Sequence, residues 1–92
     1  MDLSIIIVNW NGGSYLLDCL ESLYACGPTR ETEVLVVDNG SKDGSLDLIR
    51  SSFPYLTLIE VGTNLGFARA ANLGWRCTRG KYVLFLIGLT HR

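Results

Sequence analysis

The sequence predicts an α/β protein: a parallel sheet covered by helices on both faces. Two observations carry this. Four short apolar, β-branched runs recur with little alternation, the pattern of strands buried on both sides. One stretch of helical apolar periodicity lies in each interval between them, so strand and helix alternate along the whole chain. Crossovers between parallel strands are then expected to be right-handed.

The first run, Leu3-Ser4-Ile5-Ile6-Ile7-Val8, ends in Asn9-Trp10-Asn11-Gly12-Gly13. In the first helix, Leu16, Cys19, Leu20, Leu23 and Tyr24 share one face, with Asp18, Glu21 and Ser22 opposite. The second run, Glu33 to Val37, stops at Asp38-Asn39-Gly40-Ser41-Lys42-Asp43-Gly44-Ser45, the most informative segment of the chain. A buried strand ending there turns its polar terminus toward whatever sits above the sheet edge. Asp38 and Asn39 carry groups that can hydrogen-bond a base edge or a ribose hydroxyl. Gly40 permits a turn that a Cβ would resist, and Asp43 and Ser45 suit the cap of the next helix. The same residues serve an ordinary strand–turn–helix junction equally well.

In the second helix Leu46, Ile49, Arg50 and Phe53 share a face, and Pro54 discourages continuation. The third run, Leu56 to Glu60, leads into Gly62-Thr63-Asn64-Leu65-Gly66. The third helix is expected from about Phe67 to Thr78, rich in Ala68, Ala70 and Ala71, with Gly80 placed as a stop. Trp75 on that helix is read as packing rather than ligand contact. Tyr82 to Ile87 closes the series.

Composition agrees with one small domain. The 92 residues are 48% hydrophobic and 18% charged with a net charge of −1, which gives no electrostatic footprint for nucleic acid. No stretch is long enough to span a bilayer, and the N-terminal run lacks the basic flank of a signal peptide. Cys19, Cys26 and Cys77 fit neither a disulfide framework nor a metal spacing, and Cys19 and Cys77 read as small apolar core residues. A reducing, cytoplasmic setting follows as the expectation. Asn39-x-Ser41-x-Asp43-Gly44 opens like a calcium loop, but its twelfth position is Arg50, so that reading fails. The lone His91 beside the terminus reads as a solvated end.

Three segments together resemble the first half of a family 2 glycosyltransferase of the GT-A fold, with the flavour of the rhamnosyltransferase-like branch. They are Ser4-Ile5-Ile6-Ile7-Val8-Asn9-Trp10-Asn11, then Val36 to Ser45, then Asn64-Leu65-Gly66-Phe67-Ala68-Arg69-Ala70. The resemblance runs from about Leu3 to Leu86. It implies a three-layer α/β/α arrangement with strand order 3-2-1-4, and a nucleotide diphosphate sugar, a UDP- or dTDP-sugar, as ligand. It also implies that Val8, Asn9, Trp10 and Asn11 line the base and ribose, with Trp10 either stacking on a ring or bracing the loop. Asp38 or Asn39 would read the pyrimidine N3–H; relatives often have two acids here, and this chain has Asp then Asn. Asn64, Gly66 and Arg69 would face the diphosphate at a helix N-terminus, although Arg69 suits a solvated helix face equally well.

One departure matters more than any match. Where the resemblance expects Leu-Asn-Pro-Asp-Thr after the fourth strand, with its Asp binding the metal, this chain reads Leu86-Ile87-Gly88-Leu89-Thr90. Leucine offers no oxygen to a hard cation. Mg2+ or Mn2+ belongs to the full-length family, and no firmly held metal or other cofactor is expected here. Residues 1–92 are therefore expected to be a single truncated GT-A domain that keeps the nucleotide-sugar cleft and lacks the catalytic machinery. A non-catalytic nucleotide- or partner-binding α/β module is the alternative, and the residues do not separate the two. A dinucleotide oxidoreductase would need Gly-x-Gly-x-x-Gly where Asn11-Gly12-Gly13-Ser14 stands, a poor fit. Without a covering half, Val83, Phe85 and Ile87 are expected to expose an apolar edge and to favour a homodimer through the C-terminal strand.

Overall fold

The computed structural model describes residues 2–25 and 31–87. Seven elements alternate through them: β1 (Leu3–Asn9), α1 (Gly13–Ala25), β2 (Thr32–Asp38), α2 (Ser45–Ser52), β3 (Thr57–Glu60), α3 (Phe67–Arg76) and β4 (Tyr82–Ile87). All neighbouring strands are parallel, and their order is β3-β2-β1-β4, as expected. The register sets Asn9 opposite Asp38, and Asp38 opposite Glu60. Polar residues that lie far apart in the chain thus arrive together at one edge of the sheet.

The unbroken apolar runs are explained by what each face touches. Ile5 and Ile7 of β1 join Val34 and Val36 of β2 beneath Leu16 and Leu20 of α1, Ile49 of α2 and Phe53. Ile6 and Val8 point the other way and pack with Val37 against Ala70 and Ala71 of α3. Every second residue is apolar on one face, and the residues between are apolar on the other. Burying each Ile or Leu contributes about 1.5–3 kcal/mol relative to leaving it in water.

The two helical layers lie on the sheet differently. α1 and α2 present leucine and isoleucine, whereas α3 presents Ala70, Ala71 and Gly74. A Cβ on Gly74 would sit 2.8 Å from Val37 Cγ2 and 2.9 Å from Ile6 Cγ2, so the helix backbone itself lies against the strands. Trp75, expected to pack, is instead 55% exposed. The buried stripe of α3 consists of small residues, while Phe67, Arg69, Trp75 and Arg76 are exposed.

Other expectations are corrected at the element ends. α3 stops at Arg76 with Cys77 as its cap, and Cys77 is exposed rather than part of the core. Cys19 is half-buried against the α1 face, and burial pushes its thiol up. Cys26 lies outside the described residues. Arg50 leaves the apolar face of α2 and pairs with Glu60 and Asp47 at the surface. The cap position of α2 is Gly44, at φ 87°, and neither Asp43 nor Ser45 occupies it. Gly80 comes after the helix has ended and packs against Ser4, where a Cβ would meet the Ser4 nitrogen at 2.6 Å.

That contact belongs to a clip at the end of the sheet where β1 begins. The Ser4 hydroxyl donates to Glu33 Oε2 at 2.5 Å, Arg79 N–H donates to the same oxygen at 2.6 Å, and Gly80 N–H donates to Ser4 Oγ at 2.9 Å. Burial raises the Glu33 carboxyl, but the Ser4 and backbone donors and the Arg79 charge outweigh it and hold the group below its ordinary 4.5. A depressed carboxyl stabilises the fold above its unfolded value. The clip's contribution is therefore complete above pH 4.5 and is lost as pH falls through the lower folded value.

β4 ends the sheet on one side. Among the described residues it pairs with β1 alone. Its exposed side chains are Tyr82, Leu84 and Phe85, on both faces, while Val83 packs against the α3-side core. The expected exposure of Val83 is thus corrected, and the Ile87 side chain, Leu89 and His91 lie outside the described part.

Candidate functional site

Three loops meet where β1, β2 and β3 end, and side chains from the strand ends tie them together. Asn9 is 3% exposed; its Nδ2–H donates to Asp38 Oδ1 at 2.8 Å and to Ser41 Oγ at 3.0 Å. Its Oδ1 accepts the N–H of Gly12 at 3.1 Å, which folds the first loop back over its own strand. Asp38, 1% exposed, accepts the Ser41 N–H on Oδ2 at 2.9 Å and makes the matching turn in the second loop. An Asx residue that caps a nearby N–H is a common way to shape a loop. Here the two turns stand side by side and share the Asn9–Asp38 bond.

The first and second loops are then cross-linked. Ser41 Oγ accepts the Asn11 N–H at 2.8 Å, and Asn11 Oδ1 accepts the Lys42 N–H at 2.8 Å. Asn11 adopts φ 52° to reach both, a conformation that asparagine tolerates better than most residues. Further along, Ser45 Oγ accepts the Gly13 N–H at 3.0 Å, and Asp43 Oδ1 accepts the Ser45 N–H at 3.0 Å and also takes the Ser45 hydroxyl proton. Burial raises the Asp43 carboxyl, but these donors overcome it and hold the group below the usual carboxylate range.

The third loop is held by Asn39, which is 3% exposed. Its Nδ2–H donates to Asn64 Oδ1 at 2.9 Å and to the Gly66 carbonyl at 3.3 Å, while its Oδ1 accepts the Leu65 N–H at 2.8 Å. Gly40 allows the two loops to touch. It has φ 87°, and a Cβ there would fall 2.8 Å from the backbone of Thr63.

The expected site residues separate into three groups. Asn9, Asn11 and Asp38 are bonded through Ser41, Asn39 is bonded to Asn64 and Gly66, and the Asn39 N–H donates to the Asn9 carbonyl at 2.7 Å, which joins the two sets across the sheet edge. Val8 lies beneath it, buried in the α3-side core. Trp10 and Arg69 are exposed and outside the network, and Arg69 lines a hollow of about 550 Å³ with Ala68, Ala71, Asn72, Trp75 and Phe85. Sequence reasoning assigned no role to Ser41, and gave Ser45 a helix cap rather than the bond its hydroxyl accepts from Gly13. The spacing Asp38-x-x-Ser41 matches Asn9-x-x-Gly12, and that repeat was the available signal.

The arrangement presents backbone, amides and one indole at the carboxyl edge of a parallel sheet, where open α/β sheets bind ligands. Among the described residues no three of His, Cys, Asp and Glu converge to hold one, and Asp38 and Asp43 already spend oxygens on N–H and O–H donors. Nor is any helix among the described residues long and apolar enough to cross a membrane.

Strand order 3-2-1-4 with a polar carboxyl edge is shared by several nucleotide-binding α/β folds. Residues 4–86 match the model of glycosyl transferase family 2, and the chain belongs to that family. It is 36% identical over 88 residues to the uncharacterized glycosyltransferase YfnE of Bacillus subtilis, covering 92% of this chain and 22% of that protein. Identity to the N-acetylglucosaminyl-diphospho-decaprenol L-rhamnosyltransferase of Mycobacterium tuberculosis is 34% over 70 residues, covering 76% and 22%. Among solved structures, residues 1–349 of TarS from S. aureus in complex with UDP-GlcNAc superpose with a TM-score of 0.84 at 30% identity, covering 96% of this chain and 26% of that one. The chain thus spans about a fifth to a quarter of the length of these three relatives.

Proposed function

We propose that the loops at residues 9–13, 38–45 and 61–66 bind the nucleotide diphosphate of a UDP- or dTDP-sugar, and that residues 1–92 are the donor-binding half of a GT-A domain in the rhamnosyltransferase-like branch. The observation that carries this is the network itself: three sequence-distant loops are locked into one surface at the carboxyl edge of the sheet. In this reading Val8, Asn9, Asp38 and Asn39 shape the surface from below. Trp10 and Asn11 meet the nucleoside, while Asn64, Gly66 and Arg69 at the start of α3 meet the diphosphate. The similarity to TarS, solved with UDP-GlcNAc, supports a uridine donor, and the Mycobacterium relative supports the branch.

The 92 residues are proposed to bind without turnover. Stabilising a leaving diphosphate by metal is worth several kcal/mol, and Leu89 stands where the resemblance expects the acidic ligand. Calorimetry with UDP, dTDP and GDP, each with and without Mg2+ or Mn2+, tests the binding. The expected result is weak pyrimidine-selective binding, little changed by metal, with no acceptor-dependent release of UDP from UDP-sugars. Equal binding of GDP, or sustained acceptor-dependent release, contradicts it. We also propose self-association through the free edge of β4, where Leu84 and Phe85 are exposed. Sedimentation velocity is expected to show a concentration-dependent dimer that Phe85→Lys reduces; a monomer at all concentrations refutes it.

A further inference from the structure

We propose that Asn39 is a positioning residue: its carboxamide sets the third loop, and with it the start of α3, by donating and accepting at the same time. This rests on the reading of the site as a nucleotide cleft. The partners assign the two ends of the amide. Two oxygens, Asn64 Oδ1 and the Gly66 carbonyl, face Nδ2, and one N–H, from Leu65, faces Oδ1. Asn64 Oδ1 also accepts the Gly66 N–H at 2.8 Å, so it is oriented as an acceptor from both sides. Gly66 is the N-cap of α3, and the first helical bond, from Ala70 N–H to the Gly66 carbonyl, ends on the same oxygen that Asn39 reaches.

A carboxylate cannot do this. Asp at position 39 keeps the shape but turns a lone pair toward two oxygens in a site 3% exposed. In this chain the amide therefore matches the partners that the third loop offers. A protonated Asp, however, regains a donor on one oxygen and an acceptor on the other. Asn39→Asp is thus expected to misplace the loop when ionised and to restore it when protonated, the reverse of the acid loss at Glu33.

The groups that bond the Asn39 amide are not titratable. Charged groups on the surrounding elements are Asp38 on β2, Lys42 and Asp43 in the second loop, Glu60 on β3 and Arg69 on α3. All are present in both proteins, so the wild-type profile subtracts them.

The test compares Asn39→Asp with wild type by three readouts across pH: exchange of the Leu65 and Gly66 amide protons, thermal melting, and affinity for UDP. An unmet polar group of this kind weakens an equilibrium about tenfold. Near pH 8 the variant is expected to lose protection at Leu65 and Gly66 and to bind UDP about tenfold more weakly, and to recover both as pH falls through the raised pKa of a buried carboxyl. Unchanged protection and affinity at high pH overturn the proposal, as does a loss that low pH leaves in place. If wild type does not bind UDP, the nucleotide reading fails, and the two exchange rates still decide whether Asn39 positions the loop. Should Asn39→Asp not fold, Asn64→Ala removes the same acceptor from an exposed position. It is then expected to raise exchange about tenfold at Leu65, whose N–H is bonded to Asn39 Oδ1 and not to Asn64; a wild-type rate there overturns the proposal.

Discussion

Asp38→Ala is expected to cost about 3 kcal/mol of stability, because two donors lose a charged acceptor that water cannot replace. The Asn9 amide and the Ser41 N–H both end on this carboxylate, at 2.8 and 2.9 Å, in a site only 1% exposed. For a chain of this size the loss lowers the melting temperature by on the order of 15 °C. Asp38→Asn keeps one acceptor oxygen but turns an NH2 toward the remaining donor, so it is expected to fall between wild type and alanine. Thermal melting of the three proteins gives the ranking. Alanine equal to wild type contradicts the account, because the loop edge would then be held by something other than the strand-end network.

The second large effect lies beneath the site. Replacing glycine by alanine inside a helix ordinarily gains about 1 kcal/mol. At position 74 the sign is expected to reverse. The added methyl meets Val37 Cγ2 and Ile6 Cγ2 at 2.8 and 2.9 Å, and both residues are fully buried and stiff at χ1. Overpacking of this kind costs about 1–3 kcal/mol, and Gly74→Val should cost more. Because α3 carries Gly66 at its start, lifting the helix from the sheet also disturbs the third loop. Val37→Ala removes Cγ2, the nearer of the two methyls, and is expected to cost less in the Gly74→Ala background than in wild type. A higher melting temperature for Gly74→Ala alone would show that α3 does not lie against the strands.

These two residues mark what was and was not legible in the sequence. The strands were legible because β1 and β2 are buried on both faces, and such strands leave unbroken apolar runs. α1 was legible from its leucine periodicity. The close seating of α3 was not. Ala70 and Ala71 read only as helix formers, Gly74 carried no reading, and only the sheet opposite them reveals a contact surface. For the same reason Trp75, the largest residue of that helix, was assigned to packing and is exposed.

At the site, residue types and spacing identified the polar strand ends, and parallel pairing in register brought Asn9 and Asp38 together. What spacing does not encode is the direction of a side chain. Asp38 and Asn39 carry the groups that a base reader needs, and the same groups serve to staple loops. Composition is identical for the two uses, and only the neighbouring N–H and C=O groups distinguish them. The similarity to longer glycosyltransferases narrows the family and leaves that question to the geometry.

The most direct test is a titration of the labelled chain with UDP, followed by amide chemical shifts. The account predicts that the largest changes cluster at Asn11, Ser41, Lys42 and Asn64 to Gly66, the three loops of the sheet edge. A cluster instead at Arg50, Phe53 and Leu58, which line a separate hollow between α2 and β3, would contradict it, as would shifts that do not change at all.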